Sequence, residues 1–155
     1  MSPTVRPGES TDLDDLVDLV DRSTAELAGQ RGGEAFLASL GRRASTREFL
    51  TAAIEDETTM VWCGVWEGVV VGYAIAALTE EAGSPIVVLS DIYTLPEARD
   101  VGVGEVLCEA AIAWAIASEA YAIDAHALPG ARASKNLYER LGLTARLITV
   151  RRELP

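Results

Sequence analysis

Only two cysteines and one histidine occur among 155 residues. Cys63 stands in an apolar, strand-like run and Cys108 in a helical one, without the paired or clustered spacing that a disulfide framework or zinc site requires. Reduced thiols and no metal are therefore expected. Basic residues are also scarce, with 13 Lys plus Arg against 24 Asp plus Glu and a formal charge of −11. Phosphate backbones are held by basic surfaces, so nucleic acid is not expected as a partner. A cationic small molecule or basic peptide would be attracted, although acids in this number also serve simply to solvate a surface. Long apolar runs are missing as well. The longest, AAIAWAIA at 110–117, is far too short to span a bilayer, and the stretch MSPTVRPGESTDLDD has neither the basic nor the apolar region of a signal peptide. No membrane partner and a cytoplasmic location are expected. Repeats, low-complexity tracts and long linkers are absent, which points to one domain over residues 1–155.

What is present alternates between two periodicities. TVRPG at 4–8 is short and β-capable, ending in a Pro-Gly turn signal. STDLDDLVDLVDRSTAEL at 10–27 puts Leu13, Leu16, Val17, Val20 and Thr24 on one helical face, with Ser10 or Thr11 as N-cap. Three glycines then break the pattern before a short helix over 34–40, and Ser45 or Thr46 opens a third helical piece at 47–56. The runs at 58–66 and 69–78, joined around Glu67-Gly68, read as a hairpin, with Trp62 and Trp66 on one face of the first strand. A strand at 84–95, a helix over about 103–118, a strand at 121–128, the loop PGA, a helix at 132–142 and a closing strand ARLITVRREL at 145–154 complete the chain. Leu141-Gly142 is a helix stop. This order describes an α/β protein with a mixed, mostly antiparallel sheet flanked by helices on both faces.

The strand at 84–95 feeds LPEARDVGVGEVL, whose glycines at 102 and 104 open a helix. Glycines here let consecutive amides and the positive end of a helix dipole approach an anion. A plain tight turn before a helix is the alternative. A dinucleotide fingerprint is excluded because Leu107 stands where a small residue is needed, and a P-loop because Glu105 and Val106 follow Gly104 in place of Lys-Ser/Thr. Arg-x-x-Gly-x-Gly remains, at Arg99, Gly102 and Gly104.

That run, IYTLPEARDVGVGEVL, together with NLYERLGL about thirty residues later, resembles the GCN5-related N-acetyltransferase superfamily, and the resemblance extends over most of the chain. It implies the acyl-CoA N-acyltransferase fold and an acetyl-CoA-dependent N-acetyltransferase acting on a primary amine of a small molecule or protein by direct attack. A non-catalytic acyl-CoA-binding domain of the same fold is the alternative. The resemblance assigns the pyrophosphate of CoA to the turn of Arg99, Asp100, Val101, Gly102, Val103 and Gly104, and the pantetheine arm to Ile92, Tyr93 and Thr94. Val101 stands where the family commonly has a basic residue, Ala131 where many members have Asn, and Ser134 where Ala or Ser is usual. Tyr138 matches the tyrosine that protonates the CoA thiolate, a phenol with a reference pKa of about 10 facing a thiol of about 8.5.

A base for the incoming amine is sought among Asp91, beside the pantetheine stretch, and His126, at the end of the fifth strand, although both residue types are also common in structural roles. Gln30, Arg31, Glu34, Tyr73 and the loop TEEAG at 79–83 are candidates for acceptor selection. A homodimer is possible in this family through edge strands or the C-terminal segment, and ARLITVRREL has the alternation for either an edge or an interior strand.

Overall fold

β-Branched and aromatic residues alternating through the centre of the chain build a five-stranded sheet in the order β1-β2-β3-β4-β5. The computed structural model describes residues 1–155. The strands are β1 (Thr4–Pro7), β2 (Thr59–Trp66), β3 (Val69–Glu81), β4 (Ser84–Thr94) and β5 (Ala122–Ala125). The first three neighbour pairs are antiparallel, and β4 with β5 is parallel. A parallel neighbour cannot be reached by a tight turn, and α4 (Val103–Ala117) supplies the crossover. The other helices are α1 (Leu13–Ala28), α2 (Gly33–Ser39), α3 (Thr46–Glu55) and α5 (Arg132–Arg140). None is long and apolar enough to cross a membrane.

Each face of the sheet carries its own core. Trp62, Ala74, Val87 and Leu89 pack against Leu107 and Ala111 of α4, and Trp62 meets Trp114 edge-on at 5.9 Å. On the opposite face, Val61, Tyr73, Ile75 and Tyr93 pack under α1 and α3 through Leu16 and Leu50. Two glycines let α4 lie close: a Cβ on Gly64 would stand 2.7 Å from Val103 Cγ1, and one on Gly72 would stand 3.1 Å from the same atom.

Three expectations are corrected. Neither Ser10 nor Thr11 caps α1; they lie in a 3-10 turn, Ser10–Asp12, that Glu9 and Asp12 cap reciprocally. Asp12 is held there by two 2.8 Å bonds from Arg6 and a 2.8 Å bond from the Glu9 amide. Thr24 is exposed, and Ser23 is the buried residue of that turn, because the stripe through Leu16, Leu19 and Val20 continues to Ser23 at helical spacing. Third, residues 145–154 form no strand, and β5 ends at Ala125 rather than residue 128. α5 closes with Gly142 at φ 87°, its amide bonded to the Glu139 carbonyl at 3.1 Å and the Leu143 amide to the Tyr138 carbonyl at 2.9 Å. This Schellman turn fixes the direction in which the chain departs, and no backbone hydrogen bond follows Leu143. The third helical piece starts as expected at Ser45, whose hydroxyl accepts from the Glu48 amide while the Glu48 carboxylate accepts from the Ser45 amide.

Candidate active site

β4 changes character halfway along. Ile75 opposes Asp91 and Ala76 opposes Leu89, so Ser90 is an extra residue without a partner, a β-bulge. Because side chains alternate, one inserted residue reverses the faces. Before the bulge, Val87 and Leu89 face α4; after it, Ile92 does so, and Tyr93 belongs to the core under α1 and α3. The parallel pairing with β5 stops at the same level, Leu89 with Ala125. Beyond it the β5-side edge of residues 90–94 has no strand beside it, leaving an open seam.

The seam leads to the start of α4. Gly102, the N-cap, has φ 93°, a conformation open to glycine at little cost. Asp100 also lies in the left-handed region, at φ 72°, where Asp and Asn are the side chains best tolerated. None of the amides of residues 100–105 donates to a backbone carbonyl. These free N–H groups and the helix dipole make an anion cradle without a side-chain cation. Arg99 does not supply one, because its Nη2 bonds both Glu26 carboxylate oxygens at 3.0 and 2.9 Å and its Nε bonds the Thr94 carbonyl at 2.9 Å. A Cβ on Gly104 would lie 3.4 Å from Leu137 and 4.0 Å from Thr94 Oγ1, so the cradle, α5 and the end of β4 converge.

Tyr138 of α5 belongs to the core that packs with α4, with Ser134 one turn earlier on the same helical face. Its phenol is buried, and burial, then Cys108 and then Asp91 push its pKa well above that of a free phenol. The hydroxyl is therefore protonated throughout the neutral range. Asp91 is 7% exposed. Burial raises its pKa from the ordinary carboxylate value, while Arg42 and, more weakly, His126 oppose the rise. Arg42 Nη2 lies 2.6 Å from Asp91 Oδ2, an ion pair without the alignment of a hydrogen bond. The same guanidinium sits 4.0 Å over the Phe49 ring and lines a cavity of about 210 Å³ between α1, α2 and α3, with Val20, Thr24, Leu37 and Thr46.

A bulged fourth strand splaying from a parallel fifth, with a glycine-opened helix at the seam, agrees with what the sequence resembles. The sequence profile described as the Acetyltransferase (GNAT) family matches residues 24–143. The chain belongs to the GNAT family. Among solved structures, the tetramutant of the BH1408 protein from Bacillus halodurans is 20% identical, with a TM-score of 0.78 over 97% of this chain and 99% of that one. AAC(6')-Iy in complex with the bisubstrate analogue CoA-S-monomethyl-acetylneamine is 22% identical, with a TM-score of 0.69 over 99% and 100%. The ribosomal-protein-alanine N-acetyltransferase of Brucella melitensis biovar Abortus 2308 is 15% identical, with a TM-score of 0.72 over 99% and 100%. At these identities the likeness establishes the fold. A search of curated proteins finds no match.

This GNAT chain is an acetyltransferase enzyme. Its expected residues divide between the two sides of β4. Ile92, Thr94, Gly104 and Tyr138 gather on the α4 side, whereas Asp91, Tyr93 and Tyr73 lie on the other. Tyr73 is 1% exposed and belongs to the core. His126 follows β5 directly, its ring 5.5 Å from Phe36 of α2. TEEAG, expected as a loop, does not join them: Thr79, Glu80 and Glu81 extend β3, and Glu81 pairs with Ser84 at the hairpin tip, seven positions along β4 from Asp91, a separation of about 23 Å at strand rise. Arg42 and Phe49 were not indicated by the sequence, because LGRRAS reads as an exposed loop and nothing local pairs Arg42 with a carboxylate 49 residues later.

Proposed function

We propose that this acetyltransferase moves the acetyl group of acetyl-CoA to a primary amine of a small molecule or protein. The observation that carries the reading is the open seam beside residues 90–94, ending at the unbonded amides of α4. In it, the pyrophosphate takes the amides around Gly102 and Gly104, and the pantetheine arm bonds the free edge of residues 92–94 as an added strand would. Asp100 fits this role through its backbone conformation, and its carboxylate is exposed to solvent.

The acceptor enters from the other side of β4, through the cavity bordered by Arg42 and Phe49. Its neutral nitrogen attacks the thioester carbonyl, the carbon–sulfur bond breaks, and the thiolate takes a proton from the Tyr138 hydroxyl. Asp91 receives the amine proton, directly or through water, once the acceptor has displaced Arg42. A carboxylate made more basic by burial is better matched to that task than an exposed one. The ion pair with Arg42 favours a second reading, in which the chain binds acyl-CoA without turning it over.

A thiol-release assay with acetyl-CoA across a panel of amines and peptides separates the two readings, since the second gives no turnover with any acceptor. Calorimetric titration tests the donor: absence of acetyl-CoA binding at millimolar concentration would remove both. Tyr138→Phe is expected to lower kcat by about 100-fold, the scale of a lost general acid, with acetyl-CoA affinity preserved. Unchanged turnover would exclude Tyr138 from proton transfer.

A further inference from the structure

The pair formed by Arg42 and Asp91 sits where a buried carboxylate meets an apolar cavity. Asp91 is buried in the sheet, and its Oδ2, 2.6 Å from Arg42 Nη2, accepts no hydrogen bond. The cavity of about 210 Å³ that Arg42 lines is walled mainly by Val20, Leu37, Leu40 and Phe49. Thr24 and Thr46 add two hydroxyls, and that of Thr46 already donates to Asp21 at 2.6 Å. No carboxylate lines this space, and Asp91 is reached from it through its partner alone. The guanidinium is therefore the one charge that a molecule entering the cavity meets.

We propose that the acceptor is a free amino acid with an apolar side chain: its amino group goes to Asp91, its carboxylate to Arg42, and its side chain into the cavity. This assignment rests on the acetyl-transfer reading above and names the substrate class for it. Asp91 cannot take a proton from an amine while Arg42 occupies it, so the guanidinium must be displaced. Arginine does not deprotonate in proteins, and separating a buried ion pair without giving each charge a new partner is strongly unfavourable. An amino acid supplies both partners at once. Its ammonium replaces Arg42 at Asp91, and its carboxylate replaces Asp91 at the guanidinium, whose planar fork matches a carboxylate. A simple monoamine offers no anion to Arg42, and a polyamine brings a second cation into a cavity that has no carboxylate for it. The space sets the size of the side chain. It exceeds the roughly 150 Å³ that holds a benzene molecule, which admits leucine, methionine or phenylalanine, and the apolar wall favours them. Once bound, the ammonium yields its proton to Asp91 and the nitrogen bonds to the acetyl carbon as the carbon–sulfur bond breaks. Tyr138 protonates the departing thiolate, and the products are an N-acetyl amino acid and CoA.

The test is thiol release from acetyl-CoA with leucine, methionine and phenylalanine, each against its carboxamide, and with spermidine. Neutralising the carboxylate makes the amine less basic and leaves more of it free to attack, so intrinsic reactivity favours the amides. The free acids are nevertheless expected to show a kcat/KM about 100-fold higher, the scale of a desolvated charge pair, with most of the difference in KM. Arg42→Gln is expected to invert this preference, because the acid loses its partner while Asp91 becomes open to the amide. Far-ultraviolet circular dichroism checks that the variant folds, and the comparison of acids with amides on the parent chain decides the point without it. Equal or faster turnover of the amides or of spermidine overturns the assignment and leaves acetyl transfer standing, as does a folded Arg42→Gln that keeps the preference for acids. Absence of thiol release with every amine removes the acetyl-transfer reading and this assignment with it.

Discussion

Asp12 illustrates how a single side chain carries more than its position in the sequence suggests. Bidentate bonding from Arg6 holds its carboxylate down at a pKa of about 2, with burial opposing. The folded value lies below the unfolded one, so the stabilisation is present above the unfolded pKa near 4 and is lost as pH falls through 2. Denaturant titration should find Asp12→Asn about 2 kcal/mol less stable than the parent at pH 6, the difference closing near pH 2. Asp100 makes a second prediction. Replacing it by Gly removes the cost of a left-handed Asp and should raise stability by about 0.5–1 kcal/mol, read as a higher melting temperature, with acetyl-CoA affinity unchanged because the cradle is made of backbone amides. A large rise in affinity would show that the carboxylate repels the ligand. At this scale the sequence was only partly legible. Gly102 and Gly104 are visible through local spacing and Tyr138 through the family resemblance, whereas the Arg6–Asp12 and Arg42–Asp91 pairs depend on chain segments brought together by the fold.

Elements were read more readily than contacts, because periodicity is local and burial of a face is not. The helices and the four strands from the N-terminus appear near where periodicity indicates, although α1 opens on neither expected cap and β3 runs on to Glu81. ARLITVRREL alternates as well as any of them, yet alternation gives a strand only when a neighbouring edge receives it. The capping box of α3 offers a direct test: Ser45→Ala should cost about 1 kcal/mol, seen as a lower denaturation midpoint with unchanged slope. Gly72→Ala should be worse. Its Cβ would press on the Tyr93 carbonyl and, at 3.1 Å, on Val103, and overpacking of that kind costs about 1–3 kcal/mol. The same change should weaken acetyl-CoA binding, because Val103 opens α4 immediately after the cradle. No sequence rule distinguishes Gly72 from a hairpin glycine, since the atoms it accommodates arrive from β4 and α4.

Across the whole molecule, the formal charge of −11 sets a field that draws in cations. If the acceptor is a cationic amine, its KM should rise several-fold from low to physiological salt, where screening shortens to about 8 Å, while kcat stays constant. A KM indifferent to salt would point to an uncharged acceptor surface. The bulge at Ser90 has a broader meaning within this frame. By reversing the side-chain phase of β4, it turns adjacent residues of one strand toward opposite faces of the sheet, Asp91 toward α1 and α3 and Ile92 toward α4. Under the proposed function the two faces can drift independently: substitutions in α1, α2 and α3 would alter acceptor preference while the packing of α4 on the other face stays intact. Deleting Ser90 would remove that reversal, so Asp91 and Ile92 would exchange faces relative to Val87 and Leu89.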